Sequence, residues 1–155
     1  MSKLVLNRTV PAFELPGTHG GNWKSADARG RALVVYFYPR DNTPGCTTEA
    51  TGFRDHYAQF RKAGAEIIGI SADSLSSHEK FKAKLQLPFE LLSDSDHVVC
   101  KLFDVYKEKS LYGRKFMGIE RSTFLIDSSG KLRHEWRKVK VTGHIETVLA
   151  EVRKL

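Results

Sequence analysis

Residues 32–38 read ALVVYFY, an unbroken run of apolar, β-branched and aromatic side chains. With no polar alternation, the run does not suit a strand that keeps one face in water. It suits a strand buried on both faces, at the centre of a sheet with helices above and below. Pro39 ends it, because proline has no N–H to give to a ladder. A strand of this kind obliges the rest of the chain to cover it.

The flanking segments supply that cover. Residues 13–21 combine an extended stretch with a glycine-rich turn (Gly17, Gly20, Gly21), the start of a small hairpin. Residues 40–45 are polar and hold Asp41, Asn42, Pro44 and Gly45, so they form a loop. A helix is expected from about Cys46, because Cys46, Ala50, Phe53, Tyr57 and Phe60 recur at helical spacing and Gly64 closes the segment. Residues 67–70 are a second buried strand. Residues 77–85 are a helix with Phe81 and Leu85 inward, stopped by Pro88. Residues 89–92 are a third strand and residues 96–103 a short helix. Residues 106–118, basic and glycine-containing, read as a long loop. Residues 122–126 and 132–137 are strands joined through Asp127, Ser128, Ser129 and Gly130, a hairpin. Thr142 or Gly143 opens a last helix with Ile145, Val148, Leu149 and Val152 along its apolar line. The order implies an α/β fold with a mixed central sheet and helices on both faces.

At 155 residues, 41% hydrophobic and 28% charged, the chain fits one globular domain over residues 1–155, large enough to fold without disulfides or a structural metal. Its first residues show no apolar run before a small-residue cleavage site, and no stretch is long enough to span a bilayer, so a cytoplasmic location and no membrane partner are expected. Six of the seven net positive charges fall after residue 100. A basic third of this kind can attract nucleic acid or another anionic partner. The charges are dispersed and no nucleic-acid motif accompanies them, so a solvated basic surface is the stronger reading.

Two cysteines without a secretory signal do not make a disulfide framework. Cys46 has an informative context: it stands where the buried run hands over to a helix, directly after Pro44 and Gly45. In open α/β sheets, ligands bind beyond the strand C-termini. A cysteine in a first helical turn meets unpaired N–H groups and the positive end of the helix dipole, both of which favour thiolate over thiol. Dithiol exchange needs Cys-x-x-Cys, and the fourth position here is Glu49. A cysteine protease needs a positioned histidine, and the six histidines show no arrangement that endorses one. His97 and Cys100 could make half a metal site, but no second pair is evident.

The pattern Pro39-x-x-x-Thr43-x-x-Cys46 resembles the active-site motif of the peroxiredoxins, and YFYPRDNTPGCTTE at 36–49 resembles their bacterioferritin-comigratory, or Q, subfamily. The similarity runs from about Val10 to the final helix. It takes in LSDSD at 92–96, Val99-Cys100, KEK at 107–109 and GIERSTFLID at 118–127. The resemblance implies a thioredoxin-like fold and reduction of hydrogen peroxide or organic hydroperoxides with no cofactor. On matching positions it implies Cys46 as nucleophile, Thr43 and the N–H groups of Gly45 and Cys46 as peroxide donors, and Arg121 as the cation that favours the thiolate. It also implies that Pro39 shields the sulfur, with Glu49 in a supporting place beside Arg121. Each has a plainer alternative: Thr43 as a helix cap, Arg121 paired with Glu120 or Asp127, Pro39 as a strand stop.

The chain departs from the family where oxidised cysteine is resolved. Many relatives carry a second cysteine five residues after the first, here Thr51, or in the following helix, here aligned to Lys82. Cys100 matches a cysteine with no usual resolving role and is expected to be structural, though it is the only internal candidate for a resolving thiol. The resemblance therefore implies a monomeric one-cysteine peroxidase recycled by thioredoxin, glutaredoxin or glutathione. The alternative is a basic thioredoxin-like binding protein with a vestigial Cys46, for which Thr43, Cys46 and Arg121 together would have no purpose.

Overall fold

The computed structural model describes residues 4–155. Strands β1 (Glu14–Gly17) and β2 (Gly21–Lys24) form a hairpin, and β3 (Ala32–Phe37) carries the apolar run. Helix α1 (Pro44–Lys62), strand β4 (Ala65–Ser71), helix α2 (Leu75–Leu85) and strand β5 (Glu90–Ser93) follow. Next come the short helix α3 (Val98–Leu102), strands β6 (Tyr106–Leu111), β7 (Arg114–Ile119), β8 (Ser122–Ile126) and β9 (Leu132–Trp136), and helix α4 (His144–Val152).

Seven strands form one sheet in the order β2-β1-β5-β4-β3-β8-β9. Every residue of β3 is buried. It pairs with β4 in parallel and with β8 antiparallel, Val35 lying opposite Ile68 on one side and Phe124 on the other. The pleat divides the core in two. Val34 and Tyr36 face Ala50, Phe53 and Phe60 of α1, Phe81 of α2 and Ile145, Val148 and Leu149 of α4. Leu33, Val35 and Phe37 face the opposite way, with Val99 and Cys100 of α3, Phe103 and Phe13. Alternate side chains of one strand therefore hold two helical layers apart, as period-two geometry requires.

Two expectations need correction. Residues 106–118 are not a loop: β6 and β7 pair antiparallel as a separate two-stranded sheet. Tyr112 and Gly113 both have positive φ, 52° and 78°, the conformation of a tight two-residue hairpin turn. Most of both strands is exposed or half-exposed, so no apolar alternation marks them in the sequence. Helix α1 also starts two residues early. Pro44 takes a first-turn position, where its missing N–H is no loss, and Cys46 becomes the third helical residue. Smaller differences follow local chemistry: α2 begins where Ser74 accepts a bond from the Ser77 N–H, and it ends at Gln86 in a left-handed conformation, before Pro88 is reached.

Candidate active site

The loop that leaves β3 is tied down before it reaches α1. The Asp41 carboxylate accepts from Tyr38 Oη at 2.7 Å and Ser77 Oγ at 2.8 Å, and lies 2.7 Å from His78 Nδ1. The Asp41 N–H donates to Asp73 at 2.8 Å. Asn42 then turns the chain with φ 65°. Thr43 takes the helix N-cap position without capping through its side chain; its hydroxyl instead donates to the Arg40 carbonyl at 2.9 Å. Pro39 lies exposed after β3.

Cys46 is 1% exposed. Arg121, from the short link between β7 and β8, reaches across to α1. Its Nη2 donates to Cys46 Sγ at 3.3 Å, and its Nη1 donates to Glu49 Oε1 at 2.6 Å. Neither Glu120 nor Asp127 takes that place. Gly45 makes the approach possible, since a Cβ there would lie 3.1 Å from Arg121 Nη2. The N–H groups of Gly45 and Cys46 belong to the first turn, where no carbonyl of the helix accepts them.

Glu49 is fully buried one turn along from Cys46, and its Oε2 has no partner. Burial raises its carboxyl to about 7, against the pull of Arg121. Burial opposes the charge on Arg121, but Glu49 and Cys46 outweigh it and hold the guanidinium above its ordinary value. Tyr36 stacks on Phe53 at 4.7 Å within the same layer, its hydroxyl buried and unpartnered. Lys109 of β6 also lies within electrostatic reach of Arg121 and Cys46.

The other residues singled out in the sequence lie elsewhere. Thr51 bonds back to the Thr47 and Thr48 carbonyls of α1, and Lys82 on α2 pairs with Glu90 at 3.1 Å. Cys100 packs in the layer on the far side of the sheet from Cys46. Burial, with Asp94 beside it, pushes the Cys100 thiol far up.

Sequence reasoning missed the Asp41–His78 pair. His78 is fully buried, with Nδ1 against Asp41 and Nε2 2.9 Å from the Leu92 carbonyl. Nε2 faces a carbonyl and donates to it, while Nδ1 packs against the Asp41 carboxylate. Its only signal was a place three residues before Phe81 on the inward face of α2. Asp41, Asp73 and His78 are also close enough to share a cation. The hydroxyl hydrogens of Tyr38, Ser71 and Ser77 already point at the carboxylates, so the cluster is closed by donors.

Comparison with known proteins places this geometry. The AhpC/TSA family pattern matches residues 6–135. The chain is 49% identical to Peroxiredoxin Bcp of Bacillus subtilis, over 98% of this chain and 97% of that protein. A solved cysteine-to-serine mutant of Xylella fastidiosa PrxQ superposes with a TM-score of 0.92 at 40% identity, covering 99% and 98% of the two chains. The Xanthomonas campestris bacterioferritin comigratory protein, studied for its alkyl peroxide reduction activity, gives 0.89 at 44% identity, with 99% and 98% covered. Two cysteine-to-serine mutants of Xanthomonas campestris Peroxiredoxin Q change positions separated by the same distance along the chain as Cys46 and Lys82 here. The sheet and its helices form the thioredoxin-like fold of these proteins. Among the described residues, no helix is long and apolar enough to cross a membrane.

Proposed function

The chain belongs to the AhpC/TSA family as a thiol-dependent peroxidase, and we propose that Cys46 is its peroxidatic nucleophile in a one-cysteine cycle completed by an external thiol. The observation that carries this reading is the double contact of Arg121, 3.3 Å to Cys46 Sγ and 2.6 Å to Glu49. The 2.6 Å contact with buried Glu49 holds the guanidinium against the sulfur, so its charge is already in place when negative charge develops there.

The thiolate sulfur attacks one peroxide oxygen in line with the O–O bond. A sulfur–oxygen bond forms, the O–O bond breaks, and the departing hydroxide or alkoxide takes up a proton and leaves as water or alcohol. Sulfur is oxidised by two electrons to a sulfenic acid and the peroxide is reduced. The Thr43 hydroxyl gives its hydrogen to Arg40, which leaves its oxygen to accept from the peroxide O–H. The N–H groups of Gly45 and Cys46, with Arg121, stabilise the oxygen that departs. Pro39 borders the approach. Hydrogen peroxide and organic hydroperoxides are the substrates of this reading, in keeping with the alkyl peroxide activity of the Xanthomonas protein.

Three features support an external reductant, with thioredoxin, glutaredoxin and glutathione as candidates. Positions 51 and 82 carry threonine and lysine. The Xanthomonas separation matches the second of them. Cys100 lies across the sheet. In this reading the chain acts as a monomer, and the cytoplasm is the reducing compartment such a cycle needs. The test is peroxide consumption with each reductant in turn. Turnover with the parent protein and none with Cys46→Ser supports the reading, and more than trace turnover in Cys46→Ser would falsify it.

A further inference from the structure

Lys109 is a half-buried cation with no hydrogen bond and no ion pair within 4 Å among the described residues. Its stem lies across Gly118 of β7, where a Cβ would stand 3.3 Å from Lys109 Cδ and 3.5 Å from Cε. In the hairpin register it lies opposite Phe116, on the strand pair that leads directly into Arg121. Neighbouring lysines are paired: Lys107 with Asp104 at 3.1 Å, and Lys115 with Glu108 at 3.9 Å.

An ammonium within electrostatic reach of a guanidinium is an unfavourable like-charge arrangement unless an anion lies near both. Arg121 already gives one N–H of each terminal nitrogen to Cys46 and Glu49, whereas the Lys109 ammonium gives none, so Lys109 is the freer cation to receive an incoming group. Burial and Arg121 both disfavour its charge, while Cys46 and Glu120 favour it. Oxidation changes this balance. When the Cys46 thiolate becomes a neutral sulfenic acid, one unit of negative charge leaves the site, and both cations lose an anion within their electrostatic reach. The site is then most receptive to an anion just when a reductant must approach.

Resting on the reading that an external thiol recycles Cys46, we infer that Lys109 selects the reductant by charge, favouring small thiols that carry carboxylate groups. The carboxylate docks at Lys109 while the thiolate sulfur attacks Cys46, forming the mixed disulfide and expelling hydroxide, which leaves as water. A second thiol attacks the outer sulfur of that disulfide. Cys46 returns as thiolate, and the two small thiols leave joined as their own disulfide.

The test separates the two half-reactions. One equivalent of peroxide is added first, and sulfenic acid at Cys46 is confirmed by dimedone trapping. The oxidised protein is then mixed with 3-mercaptopropionate, 2-mercaptoethanol or cysteamine, and each rate is corrected for the thiol's own ionisation. The expected rates favour the anionic thiol over the cationic one by about tenfold, the low end of electrostatic steering, and the ratio shrinks with added salt. Lys109→Glu should invert the preference, and Lys107→Gln, a control at a paired lysine, should leave the ratio unchanged. Charge-independent rates, or a preference that survives Lys109→Glu, would overturn this inference alone. Failure of sulfenic acid to form would instead overturn the peroxidase reading of Cys46, and this inference with it.

Discussion

Replacing Arg121 by alanine removes the one guanidinium in contact with the sulfur. Two unit charges 3.3 Å apart at an effective dielectric constant of about 20 attract by about 5 kcal/mol. That is a gross figure. Arg121 is 17% exposed, water takes over part of its role once it is gone, and Glu49 already draws on its charge. The net loss for one charge-assisted bond is about 1 to 3 kcal/mol, roughly 5- to 150-fold in rate. Stopped-flow measurement of the second-order reaction with peroxide, beside the alkylation rate of Cys46 at neutral pH, reads the loss in both nucleophilicity and transition-state stabilisation. Arg121→Lys should recover only part of it, because a point charge cannot bridge Sγ and Glu49 Oε1 as a planar fork does. A variant that folds as the parent does and keeps both rates within twofold would refute the argument and leave Arg121 with a structural role only.

Two further perturbations probe what holds the site together. Glu49 stays protonated in the folded chain up to about pH 7, while the unfolded chain releases that proton near the ordinary carboxylate range. Its contribution to stability is therefore full below about pH 4.5 and lost as pH rises through 7, a change of about 3 kcal/mol. Glu49→Gln should flatten that part of the stability–pH curve in urea unfolding, and an unchanged slope would contradict the assignment. For Asp41, burial works against the carboxylate, but His78, Tyr38 and Ser77 outweigh it and lower its titration. Its stabilising effect is present at neutral pH and lost as pH falls through the acid range. His78→Ala, which leaves the buried Asp41 carboxylate without its His78 partner, should cost about 1 to 3 kcal/mol by urea unfolding. A loss below 1 kcal/mol would show that the pair holds nothing.

What the sequence revealed follows from which side chains are buried. The run at 32–38 announced β3 because both of its faces are covered, and the apolar spacing of α1 and α4 announced the helices that cover one of them. The β6–β7 hairpin escaped notice because few of its residues are buried, so nothing selects an apolar rhythm there. Cys46 stood out through its neighbours Pro44 and Gly45, local chain features that a linear reading can weigh. Glu49 was legible only through the resemblance, which set it beside Arg121, and His78 was not legible at all. Both are polar residues on helix faces, and the fold brings Arg121 to one and Asp41 to the other across 72 and 37 residues of chain. Lys109 was one positive charge among thirteen in the basic C-terminal third until the hairpin brought it within electrostatic reach of Arg121.

The central claim is that Cys46 alone carries the oxidation and that no second cysteine of this chain resolves it. Single-turnover oxidation with one equivalent of peroxide, read by intact mass and peptide mapping with and without dimedone, tests it directly. A disulfide needs Cα atoms within about 7 Å, and Cys46 and Cys100 lie in layers on opposite faces of the sheet. The expected product is a dimedone adduct on the Cys46 peptide with Cys100 still reduced, and Cys100→Ala should give the same adduct at the same rate. Prompt formation of a Cys46–Cys100 disulfide within one chain, with turnover lost in Cys100→Ala, would contradict the account and make this a two-cysteine enzyme.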